Sequence, residues 1–266
     1  MCRWMAYGGP EIFLKDVLFE QENSLVKQSL SARESHWHTN ADGFGVAWYG
    51  QKNTPGVFKD ILPAWNDSNL HSLAHQIESR LFFAHVRASS GTSVSRNNCH
   101  PVSHGEWAFM HNGQIGGWAH MRQAVESLIA PELYQHRLGT TDSEALFLLA
   151  LTLGLAKDPP KAMNQALGLV GKLMREHGVM EPLRLSAACS NGQQIWGFRY
   201  SSDQHSPSLY YGTPTTHAQE HFQGQINTMA SEPLDDQASH WCAVAESTGL
   251  VWSQGRIQTF AITPTL

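Results

Sequence analysis

The chain has 266 residues, of which 41% are hydrophobic and 15% charged, with a formal net charge of −5. That composition supplies ample core with little sign of disorder, and without any Lys/Arg cluster there is no electrostatic footprint for nucleic-acid binding. No run approaches the ~18 consecutive apolar residues of a membrane helix, and the N-terminus lacks the basic patch and apolar run of a leader, so a cytoplasmic location is expected.

In chain order, the first predicted element is a strand at Arg3–Tyr7, immediately after Cys2. A thiol in a segment that ordinarily frays gains little unless the terminus is held inside the fold. Removal of Met1 would leave Cys2 with a thiol and a free α-amine, a nucleophile and a base on one residue. The plainer alternative is a cysteine opening an apolar strand. The stretch "HTNADGFGVAWYG" is a Gly- and Asn-rich turn feeding a strand at Gly45–Tyr49. It is no dinucleotide motif, because the third glycine and the following helix are missing; its glycines either admit a ligand closely or merely bend the chain. "GQKNTPG" reads as a surface loop.

Helical periodicity at Leu70–Ser79 precedes a strand at Leu81–Val86 that ends on Arg87 among small residues. Arginine carries a planar fork suited to a carboxylate, although a strand-end arginine also sits well in solvent. A further strand at Trp107–His111 runs into Asn112-Gly113, a pair expected to force a tight turn. An asparagine amide and a glycine N–H pointing together would stabilise an oxyanion; a hairpin is the alternative. Cys99, His100, His104 and His111, with His85, are candidate zinc ligands, but their spacing fits no established zinc pattern.

Helices follow around Trp118–Leu128, Ser143–Leu155 and Lys161–His177, the last opened by Pro159 and Pro160 and closed by Gly178. Thr141 through Glu144 match a capping box, which explains Glu144. Asp142 is not explained beyond a favourable charge at a helix start, and it is available for a ligand's ammonium group. "GLVGKL" has the wrong spacing for a phosphate loop and lies inside a helical pattern.

The remaining strands are expected at Leu185–Ser190, Gln194–Tyr200, Leu209–Gly212, Cys242–Ala245, Leu250–Ser253 and Ile257–Ile262. The turns "SNGQQ", "ESTG" and "SQGR" between them imply hairpins, and "SSDQHSPS" reads as a surface loop. Strands gathered at both ends with helices between them argue for an α+β layered arrangement, not a doubly wound parallel sheet. The four cysteines are widely spread with no C-x-x-C pair, which suits reduced thiols.

Taken together, Cys2, H-V-R at His85–Arg87, N-C-H-P at Asn98–Pro101, H-N-G at His111–Gly113 and T-D-S-E at Thr141–Glu144 form one ordered set. It resembles the class II glutamine amidotransferases of the N-terminal-nucleophile hydrolase superfamily. "NADGFGVAWY" is similar to their stand-alone branch, which includes the γ-glutamyl amidohydrolase of ergothioneine synthesis; "ASEPL" at Ala230–Leu234 extends the resemblance. The resemblance implies one domain over residues 2–266 with a four-layer αββα sandwich of two antiparallel sheets. It implies Cys2 as the nucleophile with its own α-amine as general base, and Asn112 with Gly113 as the oxyanion hole. Arg87 would hold the substrate α-carboxylate, Asp142 its α-ammonium, and His111 belongs to the same binding motif. No metal and no organic cofactor is implied.

Ala88 departs from the tryptophan that commonly follows the substrate arginine in synthase-type members, and Thr39 or Asn40 stands where those enzymes often carry an arginine near the nucleophile. The expected activity is cleavage of the γ-amide of glutamine or of a γ-glutamyl conjugate. Alternatives are a glutaminase subunit passing ammonia to a separate synthase and, from another class, a non-catalytic or zinc-binding module.

Overall fold

The computed structural model describes residues 2–34, 39–89, 91–214 and 227–266. Its first strand, β1 (Arg3–Phe13), is followed by helices α1 (Lys15–Leu18) and α2 (Leu25–Leu30) and then by strands β2 (Phe44–Trp48) and β3 (Gly56–Asp60). Helix α3 (Ser68–Gln76) leads into β4 (Glu78–Val86), and β5 (Val102–His104) into β6 (Trp107–Gln114). The helical middle comprises α4 (Trp118–Glu126), α5 (Pro131–Tyr134), α6 (Asp142–Thr152) and α7 (Pro159–Glu176). Strands β7 (Arg184–Ser190), β8 (Ile195–Ser201), β9 (Tyr210–Gly212), β10 (Thr228–Ala230), β11 (Trp241–Ala243), β12 (Thr248–Ser253) and β13 (Arg256–Ala261) complete the chain.

Among the described residues the strands form two sheets, in the orders β11-β9-β10-β1-β4-β2-β3 and β13-β12-β8-β7-β6-β5, with every pairing antiparallel. Side chains alternate between the two faces of a strand, so each sheet contributes to two cores. Met5, Tyr7, Phe82 and Ala84 pack outward against Val17, Leu25 and Leu70 of α1, α2 and α3. Trp4, Ala6, Leu81 and Phe83 face the other way, against Ala108, Met110, Ala188 and Leu250 of the second sheet. Phe109, Leu185 and Ala187 form the far face of that sheet, covered by Met121, Phe147 and Leu167 of α4, α6 and α7. Helices, sheet, sheet, helices: this is the expected four-layer αββα sandwich.

Three local expectations are corrected. "ESTG" is not a hairpin: β11 pairs with β9 in the first sheet and β12 with β8 and β13 in the second, so Glu246–Gly249 carries the chain across the sandwich. Asn112-Gly113 makes no tight turn, because β6 continues to Gln114 with Asn112 opposite Ser186 and Gly113 opposite Leu185. Helix α3 also stops at Gln76, and Ser79 already lies in β4. No helix of the described residues is long and apolar enough to cross a membrane.

Candidate active site

The same alternation that builds the cores assembles the site. Trp4 and Ala6 of β1 face the second sheet, and Cys2, one step beyond the strand's end, continues that face. On β6, Ala108 and Met110 point back at β1, and Asn112 is the next residue in that series. His111 lies on the opposite face, where its Nδ1 meets Ser143 Oγ of α6 at 2.9 Å and its Nε2 meets the Arg184 carbonyl at 3.2 Å. Both its ring nitrogens are therefore engaged by the protein. Gly113 is a glycine of necessity: its φ is +152°, and a Cβ there would lie 2.0 Å from the Arg184 carbonyl oxygen.

Cys2 sits where two chambers meet. One, of about 340 Å³, is lined by Arg87, Asp142, His85, His100, His111, Asn98, Thr92 and Trp118 among others. The other, of about 470 Å³, is lined by Thr39, Asp42, Asn112, Arg184 and Pro207. Cys2, Ala88, Ser89, Gly113 and Gln114 border both. The Cys2 thiol donates to the Ala88 carbonyl at 3.6 Å. Burial pushes that thiol up, only partly opposed by the positive charges of Arg87 and Arg3, so at neutral pH it rests protonated and needs a base to become a nucleophile.

Arg87, just past the end of β4, is buried and reaches Thr92 Oγ1 at 2.7 Å, Ser89 Oγ and the Ser93 carbonyl at 3.2 Å each, and the Asp42 carbonyl at 3.4 Å. All of these acceptors are neutral. No carboxylate pairs with it among the described residues, which leaves a buried cation in want of an anion. Asp142 opens α6, where its Oδ2 accepts from Ile115 N at 2.7 Å and its Oδ1 from Ser143 N at 2.9 Å. It thus faces Arg87's chamber as an anchored carboxylate. Asn112 supplies the complementary orphan: its amide nitrogen Nδ2 is buried and has no hydrogen-bond partner among the described residues. A buried unmade donor costs about 1–3 kcal/mol, so a group waiting for an acceptor is the physical reading.

The capping box forms by half. Thr141 Oγ1 accepts from Glu144 N at 3.2 Å, but the Glu144 carboxylate turns away to Leu138 N and Gly139 N at 2.9 and 2.7 Å. Among the zinc candidates, His100 Nδ1 lies 3.2 Å from His85 Nε2, which lies 3.3 Å from the His111 carbonyl; His104 instead sits against His136. No group of three or more His, Cys, Asp or Glu is placed to hold a metal among the described residues. Burial lowers His85 to about 3 and His100 well below the ordinary imidazole range, so both are neutral. Gly45 does serve a close approach, but to the protein itself: a Cβ there would lie 2.4 Å from the His100 carbonyl oxygen.

Several site residues escape the sequence reading. "SSDQHSPS" is a wall of the site as well as a loop, since Pro207 lines the second chamber and Asp203 binds Arg184 through Nε at 3.2–3.3 Å and Nη2 at 2.5 Å. Behind Cys2, Arg3 donates to the Cys2 carbonyl at 2.9 Å and pairs with Glu232 at 3.0 Å, both side chains 1% exposed. Glu232 also accepts from Arg33 N and Glu34 N, tying that segment to the nucleophile's neighbour. The "ASEPL" motif flagged Glu232's neighbourhood; nothing flagged its partner.

Residues 18–266 match the family model described as glutamine amidotransferases class-II. The chain is 32% identical to the probable glutamine amidotransferase DUG3 of Saccharomyces cerevisiae, over 92% of this chain and 79% of that one. It is 27% identical to the gamma-glutamyl-hercynylcysteine sulfoxide hydrolase of Mycolicibacterium smegmatis, over 74% and 80% of the two chains. A solved glutamine aminotransferase class-II domain protein from Silicibacter pomeroyi superposes with a TM-score of 0.78 at 37% identity, each chain covered in full. With two layered sheets, a thiol at their shared end and a family match over nearly all its length, the chain belongs to the class II glutamine amidotransferases.

Proposed function

We propose that the protein hydrolyses the γ-amide bond of glutamine or of a γ-glutamyl conjugate through a thioester on Cys2. One observation carries the reading: the Cys2 thiol borders both a chamber holding a buried arginine without a carboxylate partner and a chamber holding an asparagine Nδ2 without a hydrogen-bond partner, each among the described residues. Arg87 supplies the fork for the α-carboxylate, and Asp142 the negative charge for the α-ammonium. His111 supports this pocket indirectly, by holding Ser143, whose N–H and hydroxyl fix Asp142.

In the acylation step the Cys2 α-amine, freed by removal of Met1, takes the thiol proton, and the thiolate attacks the γ-carbonyl carbon. The carbonyl electrons move onto oxygen, which accepts from Asn112 Nδ2 and from the Gly113 N–H. Collapse breaks the C–N bond, and the α-ammonium returns its proton to the departing amine. Water, deprotonated by the same amine, then cleaves the thioester and releases glutamate. An α-amine with an ordinary pKa near ~8 suits this exchange better than a lysine near ~10.4. The same reading treats residues 2–266 as one catalytic unit that needs neither metal nor organic cofactor.

Two relatives support the γ-glutamyl assignment by name alone: one is called a hydrolase of a γ-glutamyl compound, the other a glutamine amidotransferase. Ala88 borders both chambers, so its small side chain takes up little room beside Arg87. Conjugates should therefore be turned over at least as well as glutamine. The test is glutamate release by Met1-processed protein from glutamine and a panel of γ-glutamyl amides. Turnover that fails whenever the α-amine or α-carboxylate is missing supports the reading. A strong preference for glutamine, with ammonia delivered to a co-purifying synthase, would replace it with a glutaminase-subunit role.

A further inference from the structure

We propose that the second chamber is a leaving-group subsite in which Arg184 receives a carboxylate, so that the departing amine is an amino acid or a peptide and not ammonia. The inference rests on the γ-glutamyl hydrolase reading above and adds to it the identity of the other half of the substrate.

The first observation is size. The chamber beyond Asn112 measures about 470 Å³, whereas a water-sized molecule such as ammonia occupies roughly 30 Å³. Space on that scale is within the usual range for an organic ligand. The second is orientation. On β7, Leu185 and Ala187 face the helices and Ala188 faces the other sheet, so Arg184 shares the inter-sheet face with Ser186 and Ala188. Its cross-strand neighbour is Gln114, itself on the chamber wall two residues beyond Asn112. Arg184 is thereby directed to the side of the sheet on which Cys2 lies.

The third observation is how the guanidinium is held. Asp203 takes Nε and Nη2, fixing the plane of the fork, while Nη1 has no hydrogen-bond partner among the described residues. An arginine oriented by one carboxylate through one edge presents the rest of its donors in a set direction. The remaining chamber wall offers Thr39, Pro207, and Asp42, whose Oδ2 accepts from Ser89 N at 2.7 Å. In a γ-glutamyl amino acid the scissile nitrogen and the leaving residue's carboxylate are separated by one carbon, and in a longer peptide the terminal carboxylate lies further from the scissile bond. Cleavage then forms glutamate and a free amino acid or peptide, with water as the only co-reactant.

The experiment compares γ-glutamylglycine with γ-glutamylglycinamide, which match in heavy-atom count and differ in the terminal charge. The ratio of their kcat/KM values is measured on processed native protein and on Arg184→Gln. Taking the ratio within each protein cancels any loss of folded material. The proposal expects native protein to favour the carboxylate substrate about 10-fold or more, the scale of one charged hydrogen bond, and expects Arg184→Gln to bring the ratio near unity. Arg184→Lys, which keeps the charge and loses the fork, should fall between them and serves if the glutamine variant is unstable. Glutamine turnover with a native ratio near unity, or a preference that survives in both variants, overturns the subsite alone. Failure to hydrolyse glutamine and both peptides overturns the hydrolase reading, and the subsite with it.

Discussion

The chambers on either side of Cys2 are built from the chain in opposite ways. The Arg87 chamber draws on contiguous motifs: His85–Arg87 where β4 ends, Asn98–His100, and Thr141–Ser143 at the start of α6. The Arg184 chamber collects single residues from distant places, among them Thr39, Asp42, Arg184 and Pro207, which share no motif. One chamber is dense in polar groups, with a buried cation, an anchored carboxylate and buried neutral histidines. The other carries the Asn112 amide and one arginine oriented by Asp203. A common acyl group in the first and a variable amine in the second would produce this contrast, because a fixed half-substrate calls for closely built contacts and a variable one does not.

The largest effect should come from Cys2, whose thiol borders both chambers. Cys2→Ala is expected to lower turnover by more than about 10⁴-fold while γ-glutamyl ligands still bind, because neither chamber loses its own contacts. Steady-state kinetics with calorimetric binding checks this, and turnover retained in the variant would detach the thiol from the chemistry. Next comes the second chamber. Asn112→Ala should reduce kcat about 10²–10³-fold with little change in KM, since the lost donor acts on the developing oxyanion. A change in KM alone would make Asn112 a ground-state contact.

The first chamber should respond in the reverse sense. Arg87→Lys should raise KM about 10- to 100-fold and affect kcat less, since an ammonium cannot replace the fork that grips a ground-state carboxylate. Equal losses in kcat would place Arg87 in the transition state instead. The mildest test concerns acid. His85 at about 3, His100 and His111 are all lowered by burial, so the folded state binds fewer protons than the unfolded chain, whose imidazoles titrate near ~6.5. The stability this represents is full above ~6.5 and is lost progressively as pH falls toward 3. Thermal unfolding between pH 8 and 5 should show a falling Tm, by about 2–4 °C for each 1 kcal/mol lost in a chain of this size. No histidine is among the described residues lining the Arg184 chamber, so the effect belongs to the first chamber. A Tm unchanged over that range would mean these rings are already charged or exposed.

Sequence and structure part company along the same line as the chambers. Alternation marked the central strands, and helical periodicity marked α4, α6 and α7, because long elements with one or two buried faces carry a strong period. Three-residue strands such as β5 and β10 are too short to show one. Asn112-Gly113 misled as a turn because its glycine answers to a tertiary demand, the close Arg184 carbonyl, which no local pattern encodes. Arg87, Asn112 and Asp142 were legible because each stands in a short motif with a recognisable chemistry. Arg184, Asp203 and the buried Arg3–Glu232 pair were not, because only the register of β7 and the return of the chain through β10 bring them to Cys2.

The central claim is that the Cys2 thiol at the junction of the two chambers attacks the substrate. It is tested most directly by treating Met1-processed protein with a glutamine-like electrophile and mapping the adduct by peptide mass spectrometry. All four cysteines are free, and Cys99 and Cys189 are buried while Cys242 is exposed on the edge strand β11. Simple accessibility would therefore favour Cys242. The account predicts stoichiometric label on Cys2, lost with Met1 retained and prevented by competing γ-glutamyl substrate; label on Cys242 in its place, or labelling of Cys2 that Met1 does not affect, would contradict it.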